Sequence, residues 1–270
     1  MTIRNAGSLR ATDLWTSHVD AKTLIEIGQE RLAPCVSMFQ PIAGAVDGSD
    51  ARALGGLIAR AGELLKAASI SARQAAAILH PALSVVDAPQ VWRSGSNGIA
   101  VFVSPEMFAV VLTGTQVSVQ VVVARRFVTR QLLPALEDLT DFEVRSVLAS
   151  LAAASPDGRV VIETEVVVPA AVRGLVAELY VDRCAEVWGR YDPTASIVTP
   201  MTGMGPDADD LIDLAAVRTL AHSGRVHVTD RLEAGGARTP MFAVLARAPQ
   251  APAARQAGST KQDRPAGRLR

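Results

Sequence analysis

The run VAELYVDRCAEVWGRYDP (176–193), then DADDLIDLAAVRTLAHSG (207–224), RVHV (225–228) and MFAVLAR (241–247), decides the fold. It reads as strand, loop, helix, strand, strand. Asp207, Asp209 and Asp210 put negative charge in the helix's first turn, where the backbone dipole favours it. Leu211, Leu214, Ala215, Val217 and Ala221 are spaced to face a core, and Gly224 is placed as the C-terminal stop. Strands alternating with helices imply an α/β or α+β arrangement.

Outward from this stretch the same alternation continues. Residues 20–32 have helical spacing, with Asp20 as cap and Pro34 as terminator. CVSMFQP (35–41) alternates as a strand. ARALGGLIARAGELLKAAS (51–69) presents one apolar helical face, weakened at Gly55 and Gly56 by roughly 1 kcal/mol each relative to Ala. Residues 72–87 predict a second helix, interrupted at Pro81. GIAVFVSP (98–105), MFAVVLT (107–113) and the β-branched VSVQVVVAR (117–125) predict strands. FVTRQLLPALEDLTD (127–141) predicts a short helix or loop, and FEVRSVLAS (142–150) fits strand or helix. RVVIETEVVVP (159–169) predicts a further strand. The small-residue segment 150–159 with its Ser-Pro-Asp-Gly turn marks a boundary. Two mixed α/β domains are expected, at 1–150 and 159–247, with a Pro/Ala/Arg/Gly-rich tail at 248–270 that has a disordered composition.

Composition narrows the functions. Of 270 residues, 49% are apolar and 20% charged, enough for a substantial core. Aromatics at 4% supply few base-stacking platforms. Net charge is zero, but residues 247–270 hold six basic side chains and one acid, leaving the rest mildly acidic. Arg255, Lys261 and Arg264 in this tail could meet phosphates or stay solvated. Two distant cysteines, Cys35 and Cys184, allow no disulfide framework and read as buried free thiols. No apolar run resembles a signal peptide or spans a bilayer, so a cytoplasmic location without membrane contact is expected.

No catalytic signature is present. His222 and His227 fall on a helix end and in a strand, unlike a zinc-binding i, i+4 pair. Asp207, Asp209, Asp210 and Asp213 lack the pattern of a calcium loop. PMTGMGPD (200–207) follows no convincing strand, which makes it a poor phosphate cradle. No catalytic residue, metal or cofactor is assigned. Arg125 and Arg126 end the strongest strand and could meet a phosphate or remain solvated. Trp188, Arg190 and Tyr191 combine a stacking surface with a cation, or form a packed turn.

PCVSMFQP, VWRSGSNGIAVFVSP and RFVTRQLLPAL in the first half, with AEVWGRYDP and DADDLIDLAAVRTLAHSGRVHV in the second, resemble bacterial proteins related to archaeo-eukaryotic peptide chain release factors. The resemblance covers most of residues 15–247. It implies a C-terminal α/β/α sandwich of the type shared with Pelota ribosome-rescue proteins and kink-turn RNA binders. It also implies a partner that is the ribosome or a structured RNA, and not DNA. The middle domain that carries Gly-Gly-Gln in true release factors is missing here. The two Gly-Gly pairs, at 55–56 and 235–236, are followed by Leu and Ala. A non-catalytic binding role is therefore expected, either on the ribosome or RNA, or as a protein-interaction scaffold that has lost RNA binding.

Overall fold

The structure, a computed structural model, describes residues 14–29, 31–45, 47–136, 159–234 and 237–246. The segments FEVRSVLAS and 150–158, the pair Gly235-Gly236 and the tail with Arg255, Lys261 and Arg264 lie outside them. The described residues form mixed sheets with packed helices, an α/β fold.

The first sheet has five strands in the order β1-β4-β3-β2-β5: β1 (Leu14–Thr16), β2 (Cys35–Pro41), β3 (Gly98–Val103), β4 (Phe108–Thr113) and β5 (Gln120–Ala124). Only the β1–β4 pairing is parallel. Both faces are apolar, and the two-residue strand repeat divides them. Ile99, Val101, Val103, Val36 and Met38 point toward helices α2 (Ser49–Ala67) and α3 (Ala72–Val86). Ala100, Phe102, Cys35 and Phe39 point to the other side. There they join helix α1 (Ala21–Ile27) and the second half of the chain. Phe39, Phe102 and Phe127 meet edge to face, with centroids 5.8 and 5.5 Å apart, and carry the core from the sheet into the loop after β5. A short helix α4 (Pro89–Trp92) and a 3-10 turn (Arg130–Leu136) complete this half.

The second half begins with β6 (Val160–Val161) and helix α5 (Thr164–Val172). Strands β7 (Val176–Asp182), β11 (Arg225–Thr229) and β14 (Met241–Leu245) join β6 in the order β11-β7-β14-β6. A small antiparallel sheet holds β8 (Trp188–Asp192) between β9 (Ile197–Pro200) and β10 (Asp209–Asp210). Strands β12 (Glu233–Ala234) and β13 (Ala237–Arg238) form a two-stranded ladder. Helix α6 (Leu211–Ala221) follows β10 directly. It is buried nearly all round, from Leu211 to Val217, because α1, α5 and strands of the second sheet all pack on it. One hydrophobic cluster runs from Phe102 and Leu24 through Leu214 to Val228 and Ala243, so residues of both halves share a core. Both α5 and α6 contribute to this one face of the β11-β7-β14-β6 sheet. On its opposite face Tyr180 stacks between His227 and Phe242, with centroids 4.7 and 4.6 Å apart.

Several local expectations fail for identifiable reasons. Helix α1 stops at Gly28, well before Pro34, and Leu32 is exposed outside it. Pro81 does not interrupt α3, because Ile78, Leu79, Ala82 and Val85 bury a continuous stripe on either side of it. RVVIETEVVVP forms only a two-residue strand before turning helical. Burial of Val167, Val168, Ala170 and Ala171 overrides the strand preference of its β-branched residues. Ala221 is exposed. The left-handed residue ending α6 is Ser223 (φ 63°), not Gly224. Gly224 serves close approach instead: a Cβ there would lie 2.6 Å from Thr219 Cγ2 and 2.7 Å from the Val176 carbonyl oxygen. Cys184 is exposed, whereas Cys35 is buried.

The α1–α6 contact is equally tight. A Cβ on Gly28 would lie 2.7 Å from both methyl groups of Val217, a β-branched side chain on the buried helix. Gly28→Ala is expected to lower unfolding free energy by about 1–3 kcal/mol, measured by urea denaturation. In a Val217→Ala background the added cost should largely vanish; an undiminished cost would refute direct packing of α1 on α6.

Candidate functional site

The site is built where the end of β5 meets the start of α6. The Arg125 N–H donates to the Ala208 carbonyl at 2.8 Å, and Val128 N–H donates to Ser37 Oγ at 2.9 Å. The first bond holds the segment 125–130 to the acidic run that opens α6, and the second ties it to β2. Asp210 is the N-cap: its Oδ1 accepts from Ile212 and Asp213 N–H at 3.0 and 3.3 Å. Its Oδ2 lies 3.1 Å from the buried Arg130 guanidinium. Asp209 is flanked by Arg125 at 3.2 Å and Arg126 at 3.3 Å. Asp213 Oδ1 accepts from both Thr129 N–H, at 2.7 Å, and Thr129 Oγ1, at 3.0 Å. Three arginines thus face three aspartates at the join of the two halves. Isolated buried charge would be prohibitive, so pairing is a condition of this geometry.

The pairing leaves one carboxyl short of a cation. Asp209 has Arg125 and Arg126, and Asp210 has Arg130. Asp213 accepts from the Thr129 donors and forms no ion pair among the described residues. Burial, reinforced by the nearby Asp210 charge, pushes the Asp213 carboxyl up to about 7. Burial also raises Asp210, against the opposing pull of Arg130.

Strand β8 is fixed beside this corner. Asp209 and Asp210 pair with Gly189 and Trp188, and Leu211 N–H donates to the Val187 carbonyl at 2.8 Å. Gly189 admits no side chain, since a Cβ would lie 2.7 Å from Leu211 Cδ1 and 2.8 Å from the Thr199 carbonyl oxygen. Strand alternation then separates the predicted trio. Tyr191 is buried in the core, while half-buried Trp188 and exposed Arg190 share the opposite face.

Trp188 forms one wall of a cleft of about 450 Å³. The other walls are Leu57 and Arg60 of α2, residues 119–122 at the edge of the first sheet, and Thr202, Gly203 and Met204. A chain of polar side chains holds the Trp188 wall. Trp188 Nε1 donates to Glu186 Oε2 at 3.2 Å, and Gln120 Nε2 donates to Glu186 Oε1 at 3.3 Å. Gln131 Nε2 donates to Gln120 Oε1 at 2.6 Å, and its own Oε1 accepts from Ser118 N–H at 2.7 Å. The indole also packs on Val122, Ala124 and Val128. Val119 and Met204 at the cleft, and Met201 and Ile197 nearby on and after β9, are large apolar side chains left exposed.

Of the sequence candidates, the structure brings Trp188 and Arg190 to one surface, turns Tyr191 inward, and engages Arg125 and Arg126 with Asp209. PMTGMGPD does follow a strand, β9, and its Thr202–Met204 part lines the cleft. Arg60, Gln120, Glu186 and Met204 were not singled out from sequence, because they come together only when α2, β5 and the segment after β9 pack around Trp188. Burial raises the Cys35 thiol to about 12, which removes it as a nucleophile. Among the described residues no group of His, Cys, Asp and Glu is arranged to hold a metal ion, and no helix is long and apolar enough to cross a membrane. No protein-family model and no curated protein matches the chain.

The raised Asp213 carboxyl gives a signed pH dependence. The folded state retains a proton that the unfolded chain releases near pH 3.8. The stability it contributes is complete below that value and is lost as pH rises toward 7, by up to about 1.4 kcal/mol per pH unit. Asp213→Asn keeps the acceptor for Thr129 but cannot titrate. Urea denaturation between these pH values should show wild type losing stability relative to the variant as pH rises; parallel curves would refute a protonated Asp213.

Proposed function

We propose that the protein is a non-catalytic binding protein, laid out like a release factor-related chain without its middle domain, and that it holds another protein in the Trp188 cleft. A C-terminal sandwich of the release factor type and a cytoplasmic location belong to this proposal. The observation that carries it is the make-up of the cleft. A half-buried indole and exposed Val119 and Met204 surround the edge of a sheet. Arg125 and Arg126, which follow β5, are engaged by Asp209. Exposed apolar groups around an aromatic anchor suit a protein surface.

A second reading, engagement of the ribosome or a structured RNA, is favoured by Arg190. It is exposed on the Trp188 face and has no hydrogen-bond or ion-pair partner among the described residues. The basic composition of 247–270, with Arg255, Lys261 and Arg264, adds phosphate affinity in this reading.

Photocrosslinking in cells separates the two. With a benzophenone amino acid replacing Met204, the expected adducts survive ribonuclease, disappear with protease, and fall several-fold when Trp188→Ala is added. Adducts that carry RNA, or the same adducts from a probe at the exposed Leu83 on α3, would overturn the protein-binding reading. Ribosome co-sedimentation that weakens steeply with salt would favour the second.

A further inference from the structure

The edge strand β5 gives the cleft a more specific capability. In the order β1-β4-β3-β2-β5, one side of β5 pairs with β2 and the other is, among the described residues, the sheet's edge. Two bonds fix which groups face which way. Ile42 N–H donates to the Asn97 carbonyl, so the even-numbered positions of β2 bond toward β3 and the odd ones toward β5. Their partners Gln120, Val122 and Ala124 therefore bond inward. Independently, the Arg125 N–H donates outward to Ala208. By the two-residue repeat, the backbone N–H and C=O of Val121 face outward, into the cleft that Val121 lines. They have no hydrogen-bond partner among the described residues. The Arg125–Ala208 bond closes the far end of this edge, and exposed Val119 marks its open end.

Hydrogen bonding in the cleft is also unequally satisfied. Both carboxylate oxygens of Glu186 accept hydrogen bonds, from Trp188 and Gln120. Arg60, exposed at the opposite wall, and Arg190, on the outer face of β8, have no hydrogen-bond or ion-pair partner among the described residues. The hydrogen-bonding groups left to satisfy are therefore guanidinium donors, while the Glu186 oxygens are already engaged.

Resting on the reading of this cleft as a protein-docking surface, we infer that it takes an extended acidic polypeptide segment, added as a strand beside β5. The segment's backbone exchanges hydrogen bonds with Val121. An apolar side chain lies between Trp188 and Met204, and a carboxylate reaches Arg60. Main-chain bonds supply affinity, while the side-chain contacts select sequence.

The test pans a phage-displayed random heptapeptide library on the full chain, and the enriched peptides are synthesised. They are expected to carry Asp or Glu with β-branched or aliphatic residues at alternate positions. Arg60→Glu should weaken their binding about tenfold or more. Val121→Pro removes an outward donor without touching the β2 ladder, a position where an edge strand tolerates proline. It should abolish binding with the circular dichroism spectrum retained. Peptides N-methylated at alternate amides test the same point without altering the protein, and one of the two methylation phases should eliminate binding. Equal binding of both methylated phases, or enrichment of basic peptides, would overturn strand addition while leaving a docking role for the cleft intact. Displacement of the peptides by a decauridine RNA at comparable concentration would assign the cleft to single-stranded RNA instead. Absence of any enriched peptide overturns the inference; only if the Met204 crosslinks also fail does the protein-binding reading fall with it.

Discussion

The structure depends on the pairing of Asp209 and Asp210 with Arg125, Arg126 and Arg130. Helix α6 is buried on nearly every side, so its N-terminus cannot be left to water. Asp210 satisfies two of its amides, and in doing so brings a carboxylate into the core that Arg130 neutralises. Removing either partner would strand a buried charge, a change that commonly costs several kcal/mol. The same corner fixes β10 against β8 and holds Ala208 to the end of β5. The position of Trp188 and the shape of the cleft follow from it.

Most of the chain's elements were legible in its sequence because their period was clear. The strands CVSMFQP and GIAVFV, helix α2 and the 211–221 helix announce themselves by apolar spacing, and Asp20 acts as the cap its position implied. The failures have a common physical source. TEVVVPAAV has the residues of a strand, and its helical state is set by burial against α6 and β14, which local sequence does not report. Ser223 in place of Gly224 as the left-handed residue reflects competition: the close approach of Thr219 and Val176 claims the glycine.

The candidate site was less legible. Trp188 and Arg190 stood out by type, and strand alternation puts them on one face; the same alternation sends Tyr191 into the core. Arg125 and Arg126 read as a phosphate contact or a solvated strand end because their partner, Asp209, is 84 residues away from Arg125. Arg60 belongs to an exposed helix face in the sequence and acquires meaning only when α2 packs against β5. Long-range pairings of this kind separate a charge that is available from one that is already used.

The docking surface rests on whether the outer side of β5 is open, and amide hydrogen exchange measured residue by residue reports that directly. Gln120 and Val122, bonded to β2, and Arg125, held by Ala208, should exchange slowly, while Val121 between them exchanges much faster. That alternation is the expected result. Protection of Val121 equal to its neighbours would show the edge already paired, and would contradict a cleft built to receive another chain.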